Sequence, residues 1–113
     1  MCGRFVQKED NPDYIKKVIA DLAIGQMFPS YNIAPTQNAL AIYQFEPGKP
    51  IGQYMHWGLI PSWSKDPKIG QKMINARMET LTEKPSFRAP VKRKRCVIPA
   101  SGFYEWEIGR ALV

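Results

Sequence analysis

Two apolar segments on either side of a turn sequence constrain the fold of this chain more than any other feature. Ala39 to Phe45 is typical of a strand, and residues 46–50, Glu-Pro-Gly-Lys-Pro, predict a turn. Ile51 to Leu59 then predicts the returning strand of a hairpin. This hairpin indicates a fold dominated by antiparallel strands.

The segments around the hairpin predict more strands than helices. Short strands are expected over 3–7, 96–99 and 102–107. Apolar residues at helical spacing predict one helix near 12–24, with Asn11 as its N-cap. The expected fold class is therefore mixed α and β (α+β), with mainly antiparallel strands.

The remaining segments predict loops and one further short helix. Residues 28–38 are rich in proline and amides, and residues 64–73 are polar and contain a proline and a glycine. A short helix is expected over 76–82, before a proline ends it. Residues 88–95 contain five basic residues and no acidic one, which is typical of a solvated face.

Length and charge limit the class of protein. The chain has 113 residues, which is enough for one domain with a modest core. Its net charge of +6, from 16 basic and 10 acidic residues, favours an anionic partner, with nucleic acid as the first candidate. No apolar run approaches the roughly 20 residues that cross a membrane, and no signal peptide is recognisable, so no membrane association is expected.

The cysteines and the single histidine argue against a metal site. Cys2 and Cys96 lie far apart in the sequence, which indicates reduced thiols in a cytoplasmic protein. Together with His56 they show no metal-ligand spacing. We therefore expect neither a metal nor another cofactor.

Cys2 directly follows Met1, and this position gives it unusual chemistry. If Met1 is removed, as expected before a small side chain, one residue carries both a free α-amine and a thiol. The amine titrates near about pH 8 and the thiol near about 8.5, so both are partly nucleophilic at neutral pH. Such an aminothiol traps an aldehyde as an imine and then closes a thiazolidine ring. The alternative is that Cys2 has no chemical role.

Five ordered motifs, spanning residues 2 to about 107, resemble the SRAP family of SOS-response-associated, abasic-site-processing proteins. They are CGRF at 2–5, SYNIAP at 30–35, WGLIPSW at 57–63, INAR-ET at 74–80 and RCVIPASGFYEW at 95–106. The resemblance implies an SRAP-like fold, a partial barrel of mainly antiparallel strands with peripheral helices.

The resemblance also implies a reaction, the covalent capture of abasic sites in single-stranded DNA. The ring-opened abasic sugar exposes an aldehyde, and Cys2 matches the family's nucleophile for thiazolidine formation. Asn75 and Glu105 match the family's active-site asparagine and glutamate. An amide can hold the sugar hydroxyl or the amine for attack, and a carboxylate can accept and return the amine's proton.

Four further matches imply contacts with the DNA strand. Arg4 and Arg77 match arginines that grip phosphates, a task suited to the guanidinium fork. Trp63 and Asn32 match positions that line the strand channel. The implied partner is single-stranded DNA that contains abasic sites.

Several of these assignments have a structural alternative. Asn75 could be a helix cap, Glu105 a solvent-facing strand residue, and Arg77 the partner of a nearby glutamate. Trp63 could belong to the core, where Trp57 is expected. Cys96 is expected to be a buried thiol in a strand.

The chain differs from the family in length. A typical member is roughly twice as long, and its second half supplies further strands and an active-site histidine in a segment like IHDRMP. That segment is absent here, and His56 does not match it. Residues 2–113 are therefore expected to be the N-terminal portion of the domain, with open strand edges that favour self-association.

Three functions remain open at this point. The first is capture of abasic sites in single-stranded DNA, in the cytoplasm with the nucleoid. The second is an N-terminal-nucleophile hydrolase or cysteine peptidase that uses the same Cys2. The third is a non-catalytic module that binds single-stranded DNA through its arginines or persists as a remnant of the fold.

Overall fold

The computed structural model describes residues 3–107 and 110–111 as short elements joined by longer connections. In chain order the elements are β1 (Arg4–Gln7), α1 (Pro12–Val18), β2 (Ser30–Ile33), β3 (Asn38–Tyr43), β4 (Ile51–His56), a 3₁₀ helix (Pro67–Gln71), α2 (Pro90–Arg93), β5 (Gly102–Tyr104), β6 (Trp106–Glu107) and β7 (Arg110–Ala111).

The strands form antiparallel sheets, which confirms the predicted fold class. β1 lies between β2 and β5 in a three-stranded sheet, and β3 pairs with β4 in a second sheet. β6 and β7 form a third pair. Within the described residues these sheets do not close into a barrel.

The predicted hairpin is confirmed as β3 and β4. Its register runs from Asn38 opposite His56 to Tyr43 opposite Ile51, so both strands are shorter than the sequence pattern suggested. Gly48 adopts φ +78° in the turn, a conformation that glycine tolerates without a steric penalty. The turn thereby fixes the register that decides which side chains face the core.

Two hydrophobic clusters lie on opposite faces of β3. Successive strand side chains point to opposite faces, and so Leu40 and Ile42 enter one cluster while Ala39 enters the other. The members of the first are Ile15, Leu22, Met27, Leu40 and Ile42, and those of the second are Phe5, Ile33 and Ala39.

A buried glutamine connects the two sheets. The side-chain Nε2 of Gln7 donates to the carbonyl oxygens of Leu40 at 3.0 Å and Pro99 at 2.9 Å. The Leu40 amide donates to Gln7 Oε1 at 2.9 Å. One amide group in β1 therefore satisfies the backbone of β3 and of the segment before β5, as a buried polar group requires.

The helix predicted near 12–24 begins as expected but ends early. The Asn11 side chain caps α1 by accepting a hydrogen bond from the Asp13 amide at 3.0 Å. The chain leaves the helix after Val18, and Ala23 instead forms a parallel bridge with Ile51. Pairing with the hairpin therefore overrides the helical periodicity of the second half of this segment.

The prediction of a loop over 28–38 was wrong in part, because β2 lies within it. Ile33 lies opposite Phe5 and is 2% exposed, and Ser30 lies opposite Gln7. The register shifts between these two pairs, which is typical of a bulge. Asn32 therefore sits on a strand rather than in a loop.

Four predictions in the second half need correction. No helix forms over 76–82, where residues 78–82 form turns instead. The strand expected over 96–99 is reduced to one bridge between Ile42 and Val97. Cys96 is exposed rather than buried, because that bridge leaves its neighbours outside a regular sheet. The strand over 102–107 is divided into β5 and β6.

We predict that Gln7→Met will strongly destabilise the protein. The thioether fills similar space but leaves the buried Leu40 amide without its acceptor, which costs about 1–3 kcal/mol for that group. Urea denaturation followed by circular dichroism measures the free energy of unfolding. Gln44→Met is the matched control, because Gln44 is exposed. Equal stability of the two variants would contradict a linking role for Gln7.

Candidate functional site

The start of β1 organises the candidate site. Arg4 lies opposite Tyr104 in the β1–β5 pair, so Glu105 follows on the side from which the chain enters β1. Glu105 is half-buried and separates β5 from β6. Cys2 lies outside the described residues. The register therefore brings the predicted glutamate to the end of β1 that is closest in sequence to the predicted nucleophile.

Two predicted DNA-binding residues contact each other across β1 and β2. Arg4 Nη1 donates to Asn32 Oδ1 at 3.2 Å, and both residues are exposed. Next to them, the Tyr104 hydroxyl donates to the Tyr31 carbonyl oxygen at 2.9 Å. This second bond joins β5 to β2 above the intervening strand. The guanidinium and amide therefore lie on a sheet whose strands are tied together at this end.

A groove of about 700 Å³ lies beside this sheet end. Phe5 and Phe103 contribute to its walls from the three-stranded sheet, and Met55 contributes from β4. Asn75, His56 and Cys96 also line it, so it is apolar with a few polar groups. The groove is thus the place where the predicted Asn75 meets the sheet that carries Arg4.

Trp57 connects β1 to the segment that carries Asn75. Its ring packs edge-on against Phe5, with ring centroids 5.4 Å apart and an interplanar angle of 67°. Its indole Nε1 donates to the Ile74 carbonyl oxygen at 2.8 Å. The expectation that Trp57 belongs to the core is confirmed, since it packs on the cluster of Phe5, Ile33 and Ala39.

The loop over 60–73 is closed at its base by a backbone contact between two glycines. Gly58 has φ +135°, and a Cβ there would collide with the carbonyl oxygen of Gly70. Beside them, the Leu59 amide donates to the Met73 carbonyl oxygen at 3.0 Å. Both ends of the loop are therefore fixed next to the groove.

Trp63 and Arg77 are exposed rather than packed. Trp63 lies on this closed loop with 61% of its surface exposed, which excludes the alternative that it belongs to the core. Arg77 is exposed two residues after Asn75. Neither is among the described residues that line the groove. The structure thus places Trp63 and Arg77 outside the groove lining and on exposed surface.

The helix-cap alternative for Asn75 does not hold, because no helix begins after it. Sequence reasoning missed the role of Trp57 as a hydrogen-bond donor to the Asn75 segment. The available signal was that a buried indole N–H usually finds a partner. The sequence could not show which carbonyl group would accept it.

The described residues contain neither a metal-binding cluster nor a membrane-spanning helix. Across 3–107 and 110–111, His, Cys, Asp and Glu side chains form no cluster of three or more that could hold a metal ion. Within the same residues, every helix is too short or too polar to cross a membrane.

The family model for SOS response associated peptidase (SRAP) matches residues 1–111 of this chain. The chain belongs to the SRAP family. The family assignment that the ordered motifs suggested is thus confirmed by a match over nearly the whole sequence.

Relatives of this SRAP chain occur in bacteria and in vertebrates. It is 53% identical to abasic site processing protein YoqW of Bacillus subtilis over 109 residues, covering 95% of this chain and 48% of that protein. It is 41% identical to abasic site processing protein HMCES of Xenopus tropicalis over 90 residues, covering 70% and 27%. The chain thus spans about half the length of the first of these relatives and less of the second.

Two solved structures share the fold of this chain. A crystal structure of a protein from Bordetella bronchiseptica superimposes with a TM-score of 0.75 and 22% identity, covering 97% of this chain and 54% of that one. At this identity the likeness shows the fold alone. A phage-related protein from the same organism gives a TM-score of 0.70 with 28% identity, covering 94% and 47%.

We predict that Gly58→Ala will open the base of the 60–73 loop. The added methyl group meets the Gly70 backbone and is strained by the positive φ, so the free energy of unfolding should fall by more than about 2 kcal/mol. Gly25→Ala is the matched control, because a Cβ at Gly25 meets nothing within 4 Å. Urea denaturation compares the two variants, and similar midpoints would refute the close glycine contact.

Proposed function

We propose that this protein captures abasic sites in single-stranded DNA through a covalent bond to Cys2. The observation that carries the proposal is the convergence on β1, the strand that follows Cys2. Glu105 is brought to one end of β1 by the β1–β5 register, and Asn75 is connected to β1 through Trp57. The names of the relatives, abasic site processing proteins, support abasic sites as the substrate.

The proposed reaction joins one aldehyde carbon to two atoms of the N-terminal residue. After Met1 is removed, the α-amine of Cys2 attacks the aldehyde of the ring-opened sugar to give a carbinolamine. Loss of one water forms the imine, and addition of the thiol to the same carbon closes the thiazolidine, with the thiol proton passing to nitrogen. No oxidant or other co-reactant is needed.

Two side chains have roles in these reaction steps. We assign Glu105 as the general base that accepts the amine's proton and returns it to the departing oxygen. This role suits a half-buried carboxylate at the end of β1 that is closest in sequence to Cys2. We assign Asn75 to hold the sugar hydroxyl or the amine in position for attack. Its place in the lining of the groove supports this role.

The Arg4–Asn32 pair is the proposed contact for the DNA backbone. A guanidinium with five donors can bind a phosphate while it keeps its bond to Asn32 Oδ1. Trp63 and Arg77, both exposed, would contact the strand beyond this point, with stacking on Trp63 contributing about 1–3 kcal/mol per base. A protein with these contacts would be located in the cytoplasm, in association with DNA.

The groove suggests a second kind of partner. Met55, Ile98 and Phe103 are 36%, 50% and 68% exposed, respectively, so apolar surface is open to solvent there. Apolar patches of this kind are typical of protein interfaces. We propose that the chain also self-associates through the open edges of its sheets, next to this surface.

We predict that the adduct requires both the amine and the thiol of Cys2. On a uracil-excised single-stranded oligonucleotide, Cys2→Ala should give only an imine that borohydride traps, and Glu105→Gln should slow capture about 10²–10⁴-fold. Denaturing gels measure the heat-stable adduct, and intact mass verifies the loss of Met1. Cys96→Ala is the control and should react like the parent chain. An adduct that survives Cys2→Ala would refute the proposal and favour another nucleophile.

We predict that DNA binding weakens steeply with salt and prefers single strands. Arg4→Gln removes one phosphate contact, so the slope of log K against log salt should decrease by about 0.7. Fluorescence anisotropy with an undamaged oligonucleotide measures the affinity without the covalent step. Lys17→Gln is the matched control, an exposed residue on α1. Equal affinity for duplex DNA would contradict the proposed binding of single-stranded DNA. Unchanged affinity in Arg4→Gln would contradict the proposed phosphate contact of Arg4.

A further inference from the structure

Trp57 occupies a fixed position between three parts of the chain. Its amide donates to the Gln37 carbonyl oxygen at 3.0 Å, and its own carbonyl oxygen accepts from the Thr36 amide at 2.9 Å. Its ring packs on Phe5 of β1. The backbone and the ring are thus held independently, which fixes the direction of the indole N–H.

The acceptor of that N–H lies directly before Asn75. The Ile74 carbonyl oxygen receives it at 2.8 Å, in a segment that has no helix or strand from 74 to 77. A backbone without regular structure depends on such side-chain bonds for its position. The neighbouring bond from Leu59 to Met73 fixes the chain just before this point.

We propose that Trp57 is a positioning residue, which places Asn75 relative to β1 through the hydrogen bond from its indole N–H to Ile74. Its effect on catalysis rests on the proposed function, in which Asn75 aligns groups for attack by Cys2. Trp57 acts through the Asn75 backbone and does not itself contact the reacting atoms. A displacement of about 1 Å at such a position lowers a rate by up to about 10²-fold.

The first test replaces the donor and keeps the ring. Trp57→Phe removes the indole N–H but leaves an aromatic face for Phe5. We expect the rate of adduct formation at saturating oligonucleotide to fall about 10-fold or more, while the affinity for undamaged DNA changes less than about twofold. A variant that only lost folded protein would instead lower the reactive fraction at an unchanged rate constant.

A second measurement reports the position of Asn75 without any reaction. In the DNA-free protein, the backbone amide resonance of Asn75 in a ¹⁵N spectrum should shift in Trp57→Phe. Tyr43→Phe is the matched control, because it also removes a hydrogen bond donated by an aromatic side chain, from the Tyr43 hydroxyl to Gln53 Oε1 at 2.7 Å. The Asn75 resonance should be unchanged in this variant. An unchanged Asn75 resonance in Trp57→Phe would overturn the proposal.

The two readouts separate this inference from the proposed function. If the parent chain forms no adduct, the proposed function fails, while the Asn75 resonance still decides the role of Trp57. If Trp57→Phe does not fold, hydrogen exchange of the parent's indole N–H groups replaces it. The Trp57 N–H should then exchange far more slowly than that of exposed Trp63, and equal rates would overturn the proposal.

Discussion

The burial of β3 on both faces is the constraint on which the rest of the structure depends. Leu40 and Ile42 face the cluster that includes α1, and Ala39 faces the cluster that includes Phe5. The small alanine lets Phe5 and Trp57 pack closely, and these rings form one wall of the groove. A one-residue slip of β3 would exchange the two sets of side chains and disrupt both clusters.

The sequence predicted those elements whose signals are local. The hairpin, the Asn11 cap and the antiparallel class depend on turn chemistry, capping and strand alternation, all of which operate over a few residues. The failures involve partners distant in sequence. α1 ends early because Ala23 pairs with Ile51, and β2 was missed because its pairing with β1 outweighs a loop-like composition.

The candidate site shows a similar division. Motif matches supplied Arg4, Asn32, Asn75 and Glu105 as single residues, and the strand register brought the first two into contact. The motifs could not supply the geometry among them, because it depends on contacts between segments far apart in the chain. The hydrogen bond from Trp57 to Ile74 is the main example. A tryptophan in the sequence predicts that its indole N–H needs an acceptor, but not which carbonyl group accepts.

The central position of β1 in its sheet has a consequence for the order in which the chain folds. One edge of β1 pairs with β2, but the other pairs with β5, so that Val6 lies opposite Gly102. Contacts of such long sequence separation form late, because the chain must first close a very large loop. During synthesis the edge of β1 that pairs with β5 therefore stays unpaired until nearly all of the described chain has left the ribosome.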